Sequence, residues 1–314
     1  MDMIHNLLNV VFPVFSTVLF IFLLPALWLF NLLRFCFKSV YPEELAGKVI
    51  LITGASAGIG EHLAMEYAKE GACLALVARR EKELEIVAQN AKAMGSPDVI
   101  VISADVSKLH DCNVFVDQTI KHFGKLDYLV NNAAIGTIDF FEDQTCVPDH
   151  ASVMDVNFWG SVYTTHFALP HLRRSQGKII VIGSCGDWFG TPMVSVYNAS
   201  KAALHSFFET LRMELGSNIE ITVVTPGLVK TSLTDHQWLK EGNAKWIPMI
   251  SAERCAKAIV DSTKRRDKNL TEPAWMKTLL LWKIFCPEIL NMTFNFVFLT
   301  WPKISSRKAR NPVT

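Results

Sequence analysis

The sequence predicts an α/β fold, a Rossmann-type doubly wound parallel sheet in one domain behind an N-terminal membrane segment. Three observations carry this expectation. From residue 48 onward, short continuous apolar runs alternate with helix-period segments, the pattern of a parallel sheet covered by helices on both faces. The first such run leads directly into a glycine-rich turn, Thr53-Gly54-Ala55-Ser56-Ala57-Gly58-Ile59-Gly60. Finally, no charged side chain occurs between Asn6 and Leu33, a stretch long enough to cross a bilayer core of ~30 Å.

That apolar run comes first in the chain. It lacks a basic flank before it and a small-residue cleavage site after it, which argues against a cleaved signal peptide. Pro13 and Pro25 lie within it, and each removes a backbone donor and bends a helix. Two readings stay open: a kinked single span, or a hairpin that enters and leaves by one face, as the surface of a lipid droplet would require. Arg34, Lys38 and Lys48 follow the run, whereas only Asp2 and the amino terminus precede it. This places the globular part in the cytosol. The seven cysteines show no paired spacing and fit a reducing compartment. With 314 residues and a formal charge of +1, the chain has no nucleic-acid signature, and no metal site is expected.

After the linker Tyr41-Pro42-Glu43-Glu44, Lys48 to Ile52 reads as a buried strand, and Leu63, Ala64, Tyr67 and Ala68 mark a helix that ends at Gly71. Strand, glycine turn and helix together are the setting of a dinucleotide site. Glycines let the backbone approach a pyrophosphate, and the helix amino terminus offers free N–H groups to it. Gly54, Ser56, Gly58, Ile59 and Gly60 are therefore cofactor candidates. The next strand, Cys73 to Val77, ends at Ala78-Arg79-Arg80. No carboxylate stands there for ribose hydroxyls, whereas a guanidinium suits the 2′-phosphate of NADP. NADP(H) is expected rather than NAD, with Arg79 as the contact; the alternative is that both arginines open a solvated helix with Glu81 and Glu83.

Lys82 to Met94 and Cys112 to Phe123 read as helices, and Val99 to Ser103 and Leu126 to Val130 as strands. Asp105 and Asn131 then fall at the carboxyl ends of strands, where ligands bind in such sheets. Either also suits a local cap. His150 to Leu172 reads as one long helix containing Asn157, and Lys178 to Ile182 as a strand delivering Ser184. Tyr197 and Lys201 stand four apart in Tyr197-Asn198-Ala199-Ser200-Lys201, on one face of a helix. A cation about 4 Å from a phenol interacts with the phenolate by roughly 4 kcal/mol at an effective dielectric of about 20. Lys201 is thus expected to lower the Tyr197 pKa and prepare it for acid/base work. Ile221 to Val224 forms a further strand, followed by Pro226-Gly227-Leu228-Val229-Lys230-Thr231.

Taken together, Thr53-Gly54-x-x-x-Gly58-x-Gly60, Asn131-Asn132-Ala133, Asn157, Ser184, Tyr197-x-x-x-Lys201 and Pro226-Gly227 resemble the short-chain dehydrogenases/reductases. Met154-Asp155-Val156-Asn157-Phe158 and Thr191-Pro192-Met193-Val194 are similar to the 11β-hydroxysteroid dehydrogenases, and with the proline-bearing N-terminus the chain looks most like their plant members, the steroleosins of oil bodies. This resemblance implies that Tyr197 is the general acid or base, that Lys201 tunes it and holds the nicotinamide ribose, and that Ser184 binds the substrate oxygen. It implies that Asn157 relays protons through its backbone and a water. Thr231 and Val229 would meet the nicotinamide, Asp105 and Val106 the adenine, and Asn131 to Ala133 the adenosine ribose. Animal relatives carry a basic residue where this chain has Ala57, which leaves phosphate recognition to Arg79 and Ser56.

Residues 1–40 are thus assigned to the anchor and 41–272 to the Rossmann domain, with a substrate lid at 232–250. Trp238, Trp246, Ile247 and Met249 make the lid from His236 onward apolar, which fits a steroid-like lipid. A retinoid or long-chain ketone, or a lipid-droplet coat protein with a vestigial enzyme fold, are the competing readings. Residues 273–314 combine apolar segments, Trp275 to Trp282 and Phe285 to Trp301, with a basic tail carrying Lys303, Arg307, Lys308 and Arg310. The apolar part is expected to lie on a lipid surface or to form a homodimer contact. The expected location is a lipid droplet or the endoplasmic reticulum membrane.

Overall fold

The computed structural model describes residues 2–136, 138, 140–143, 150–234 and 248–300. The chain divides into two compact units, Met1–Glu43 and Glu44–Thr314. In the first, a single helix α1 runs from Asp2 to Val40 without a break, with Pro13 and Pro25 inside it. At 1.5 Å per residue it is roughly 58 Å long, and it is long and apolar enough to cross a membrane. The helix is continuous through both prolines. Each proline removes one N–H, but the turn around the first is stitched by the Ser16 hydroxyl, which donates to the Pro13 carbonyl at 3.1 Å.

The second unit is built on strands β1 (Val49–Thr53), β2 (Cys73–Ala78), β3 (Val99–Ser103), β4 (Tyr128–Asn131), β5 (Lys178–Ile182) and β6 (Glu220–Pro226). Short strands β7 (Val229–Lys230) and β8 (Ile250–Ser251) pair with each other, and β9 (Asn269–Glu272) joins the main sheet. The seven strands run parallel in the order β3-β2-β1-β4-β5-β6-β9. Strand order reverses between β1 and β4, so a crevice opens there above the carboxyl ends. The central strands are apolar throughout because both of their faces are covered: every residue of β1 and of β5 is buried. One layer of core gathers Ile50, Ile52, Leu74, Leu76 and Ile180; the other gathers Leu51, Val77, Leu129, Val181 and Phe208.

Helices α2 (Gly58–Lys69), α3 (Glu81–Ala93), α4 (Leu109–Phe123) and α7 (Ser195–Leu215) lie close to where the sequence pattern puts them. The long helix expected from His150 to Leu172 differs. It consists of α5 (Ala151–Met154), a π turn over Asp155–Trp159, and α6 (Gly160–Ser175). The wide turn surrounds Asn157, whose side chain leaves the helix to bond a neighbouring segment. Two elements had no clear pattern. β9 is an edge strand of polar composition, and α8 (Ala252–Lys264) begins where the Ser251 hydroxyl accepts from Arg254 N. Beyond them come α9 (Thr278–Phe285) and α10 (Pro287–Asn295), divided at Cys286-Pro287. His236, Trp238, Trp246 and Ile247 of the expected lid lie outside the described residues, as do Lys303, Arg307, Lys308 and Arg310 of the tail.

The turn after β1 is a tight approach of backbone to backbone. A Cβ at Gly60 would stand 2.3 Å from the Gly54 carbonyl oxygen and 2.5 Å from Asn132 Nδ2. Gly60→Ala is expected to cost about 1–3 kcal/mol through forced displacement of that backbone. Urea denaturation of the full chain checks it, with a lowered midpoint at unchanged slope as the expected outcome.

Candidate active site

The crevice at the β1/β4 switch point is a cleft of about 630 Å³. Its floor is fixed by hydrogen bonds between two strand ends. Thr53 Oγ1 donates to the Val130 carbonyl at 3.2 Å and accepts from the N–H groups of Asn132 and Ala133 at 3.1 and 3.2 Å. The Asn132 side chain donates back to the Thr53 and Gly54 carbonyls at 2.9 and 3.2 Å. Gly54, with φ of 67°, could not accept a Cβ, which would meet Ala133 Cα at 2.7 Å.

Over this floor stands the amino terminus of α2. Ala57 is its N-cap and offers no side-chain acceptor, so the first N–H groups of the helix are free of capping and open to an anion. Gly54, Ser56, Gly58 and Ile59 all line the cleft, and a dinucleotide pyrophosphate fits this donor set. Gly60 does not line it; its part is the close packing just described. Arg79 and Arg80 both line the cleft at its outer end. Arg80 was passed over in the sequence, yet it is Arg80 Nη2 that donates to Ser56 Oγ at 3.1 Å, joining two residues suited to one phosphate.

Asp105 and Val106 also line the cleft. The Asp105 carboxylate is already engaged as a cap, accepting from Ser107 N at 3.0 Å and Ser107 Oγ at 2.8 Å. Asn131 is not in the cleft wall. It is buried and donates to Thr165 Oγ1 at 2.9 Å, while Asn132 takes the place on the wall. Successive residues of a strand face opposite sides, so only one of the two asparagines can meet the cleft. Ala133, Val229 and Thr231 do line it, and so does Thr234, whose hydroxyl accepts from Thr231 N at 3.0 Å and donates to the Val229 carbonyl at 2.7 Å.

Ser184, Tyr197 and Lys201 meet on the opposite wall. Ser184 leaves β5 and accepts from Gly186 N at 3.1 Å, and its hydroxyl acts on the Tyr197 phenol to favour ionisation. Lys201 is 2% exposed. Its Nζ donates to the Ile182 carbonyl at 2.8 Å and lies 5.9 Å from the Tyr197 ring centre. The expected lowering of the phenol pKa is not found. Burial pushes Tyr197 up to about 12, with the Ser184 hydrogen bond acting against it. Burial likewise pushes Lys201 down to about 8, opposed by the charge of Asp187. The physical reason is that both groups lose water, and the ammonium is directed at a carbonyl oxygen.

Asn157 is fully buried and does not line the cleft. Its Nδ2 donates to the Ile135 carbonyl at 2.9 Å and to Ser200 Oγ at 3.0 Å, and its Oδ1 accepts from Ile135 N at 2.8 Å. The side chain thus clamps the segment after Asn132 to the helix that carries Tyr197. Asn198, between Tyr197 and Lys201, donates to Thr191 Oγ1 at 3.0 Å, so its side chain is used in packing.

A family model described as short chain dehydrogenase matches residues 48–242. The 11-beta-hydroxysteroid dehydrogenase A of Sesamum indicum is 45% identical over 313 residues, covering 96% of this chain and 90% of that protein. The 11-beta-hydroxysteroid dehydrogenase-like 2 of Arabidopsis thaliana is 48% identical over 303 residues, covering 96% and 98%. Among solved structures, a short chain dehydrogenase/reductase from Burkholderia phymatum in complex with NAD shares the fold with a TM-score of 0.71. It is 24% identical and covers 79% of this chain and 96% of its own. An alcohol dehydrogenase from Thermococcus sibiricus complexed with 5-hydroxy-NADP has a TM-score of 0.64 at 27% identity, covering 71% and 95%.

Proposed function

The chain belongs to the short-chain dehydrogenase family, and from that membership we propose that it interconverts a hydroxyl and a ketone on a steroid-like lipid with NADP(H). The observation that carries this reading is the meeting of Ser184, Tyr197 and Lys201 on one wall of a cleft whose other wall is an uncapped helix amino terminus. When bound, the nicotinamide dinucleotide supplies or accepts the hydride. Tyr197 gives its proton to the carbonyl oxygen in reduction and takes one from the hydroxyl in oxidation. A phenol pushed up to about 12 holds its proton at neutral pH, the form that reduction uses. Ser184 orients the same oxygen by a hydrogen bond. Lys201 supplies positive charge beneath the phenol and a donor for a ribose hydroxyl. Asn157 is a positioning residue, since its side chain binds Ile135 and Ser200 rather than facing the cleft. Gly54, Gly58 and Ile59 would hold the pyrophosphate, Asp105, Val106, Asn132 and Ala133 the adenosine, and Val229 and Thr231 the nicotinamide, all of them residues that line the cleft.

Preference for NADP(H) is supported by the charge at the end of β2, where Arg79 and Arg80 both line the cleft and Arg80 reaches Ser56. The steroid-like substrate is supported by the names of the plant relatives. Membrane anchoring is supported by α1, which is unbroken and apolar over more than a bilayer's thickness, and Arg34 and Lys38 after it favour a cytosolic domain.

Tyr197→Phe is expected to lower NADPH-coupled ketosteroid reduction by at least about a hundredfold while nucleotide affinity, read by fluorescence titration, stays unchanged; undiminished turnover overturns the mechanism. Replacing Arg79 and Arg80 together with alanine should weaken NADPH by roughly ten- to hundredfold, the worth of a charge-assisted contact, and leave NADH binding as it was. Equal losses for both nucleotides would remove the 2′-phosphate assignment. A reporter fused to residues 1–40 should stay with the membrane fraction after an alkaline carbonate wash, and release into the wash contradicts anchoring.

A further inference from the structure

Helix α7 carries more chemistry than the Tyr197 and Lys201 pair. Tyr197, Lys201, His205 and Glu209 follow at four-residue spacing, and so form a ladder along one face. The ladder starts in the cleft and ends at the surface, where the Glu209 side chain is about half exposed. Beside its middle sits Asp187, in the short turn Cys185–Asp187 that follows β5. The Asp187 side chain is 0% exposed, an unusual position for a carboxylate.

Its partners define what it does. His205 Nδ1 donates to Asp187 Oδ2 at 2.9 Å, and His205 Nε2 is 3.4 Å from Glu209 Oε1. Asp187 Oδ1 is buried and has no hydrogen-bond partner among the described residues. Oδ2 lies 3.2 Å from where a Cβ would stand on Gly183, the residue after the Ile182 carbonyl that receives the Lys201 ammonium. Carboxylate and ammonium therefore flank the same two residues at the end of β5. The charges interact: Asp187 raises Lys201 against its burial, and His205 and Lys201 both lower Asp187 against its own. The bond to Asp187 in turn raises His205. The other titratable groups around this turn do not supply an anion at neutral pH. Burial pushes the Cys185 thiol up to about 11 and the Tyr197 phenol up to about 12, and Lys283 of α9 donates to the Trp188 carbonyl.

We propose that Asp187 is the buried counter-ion that keeps the Lys201 ammonium charged, and that His205 holds Asp187 ionised, making both of them positioning residues for Tyr197. This rests on the reading of Tyr197 and Lys201 given above. Lys201 acts only as an ammonium, and its charge is lost as pH rises through its pKa of about 8. Without Asp187 that loss occurs at lower pH.

The test uses the full chain in detergent micelles, labelled with ¹³C at lysine Cε, with the Lys201 signal followed by NMR against pH. Asp187→Asn, which keeps the shape and an acceptor for His205, should move the Lys201 midpoint down by about one pH unit or more, tenfold in the ammonium to amine ratio. Glu214→Gln, an exposed change on the same helix, should leave it in place. If Asp187→Asn does not fold, His205→Gln replaces it and should move the midpoint in the same direction. A midpoint that stays at the native value overturns the proposal. In a second arm, the alkaline limb of NADPH-dependent reduction of an 11-ketosteroid should move down with the NMR midpoint. Activity lowered equally at every pH marks a merely structural residue and also overturns it. If the native chain reduces no ketosteroid, the functional reading fails, while the NMR arm still decides the counter-ion.

Discussion

A lysine ammonium sunk almost completely into the domain is the constraint on which the cleft depends. Removing such a charge from water costs several kcal/mol even after the surroundings relax, so Lys201 must be met by acceptors fixed in advance. The Ile182 carbonyl is one, at 2.8 Å, and it is available because β5 ends there. A carbonyl alone does not neutralise a cation, and Asp187 supplies the charge. The end of β5 and the turn after it therefore do three things between Ile182 and Asp187: they present the Ser184 hydroxyl, release the Ile182 carbonyl, and bring a carboxylate behind both.

The same constraint explains the π turn at Asp155–Trp159. Lys201 and Tyr197 are placed by α7, and α7 must be fixed against the β4 side of the cleft, across which a nucleotide would lie. Asn157 makes that connection with a single side chain, binding both backbone groups of Ile135 and the Ser200 hydroxyl, which itself donates to the Tyr197 carbonyl at 2.7 Å. An ordinary helix turn holds its side chains on the helix surface. The extra residue of the wide turn accompanies the inward placement of Asn157, and such turns often occur at functional sites. Gly160 follows immediately, where a Cβ would stand 2.9 Å from a Val106 methyl, so the helix resumes in contact with the cleft wall.

Much of this was legible in the sequence because it is local. The glycine turn, the alternation of buried strands with helices, and the four-residue step from Tyr197 to Lys201 are each contained in a short window with a clear physical meaning. What escaped was set by geometry between windows. Asn131 and Asn132 are identical and adjacent, and the direction of each side chain at the end of β4 decides that Asn132 lines the cleft while Asn131 bonds Thr165. Arg79 and Arg80 pose the same problem, resolved only by the reach of Arg80 to Ser56. The Tyr197 shift runs opposite to the expectation because the expectation counted the charge pair alone, whereas loss of water dominates both groups. β9 gave no signal since its polar run is held only along one edge, by pairing with β6.

The arrangement of charge along α7 adds a consequence for how the phenol works. A tyrosine raised by burial is a weaker acid than one in water, so proton transfer from it requires that the phenolate left behind be stabilised at once. Lys201 can do this only while charged, and its own burial works against that charge. The partner that offsets this cost cannot stand in the cleft, where it would repel the anionic nucleotide phosphates and the developing oxyanion. Asp187 solves the problem by lying behind the ammonium, on the far side from the substrate, with His205 and then Glu209 leading from it to solvent. From the ammonium the interactions pass to Asp187, then to His205, which its bond to Asp187 raises, and then to Glu209. Basic and acidic side chains set in turn let a positive charge remain next to a buried phenol, and this requires one helix with residues four apart and one turn with a carboxylate at its end.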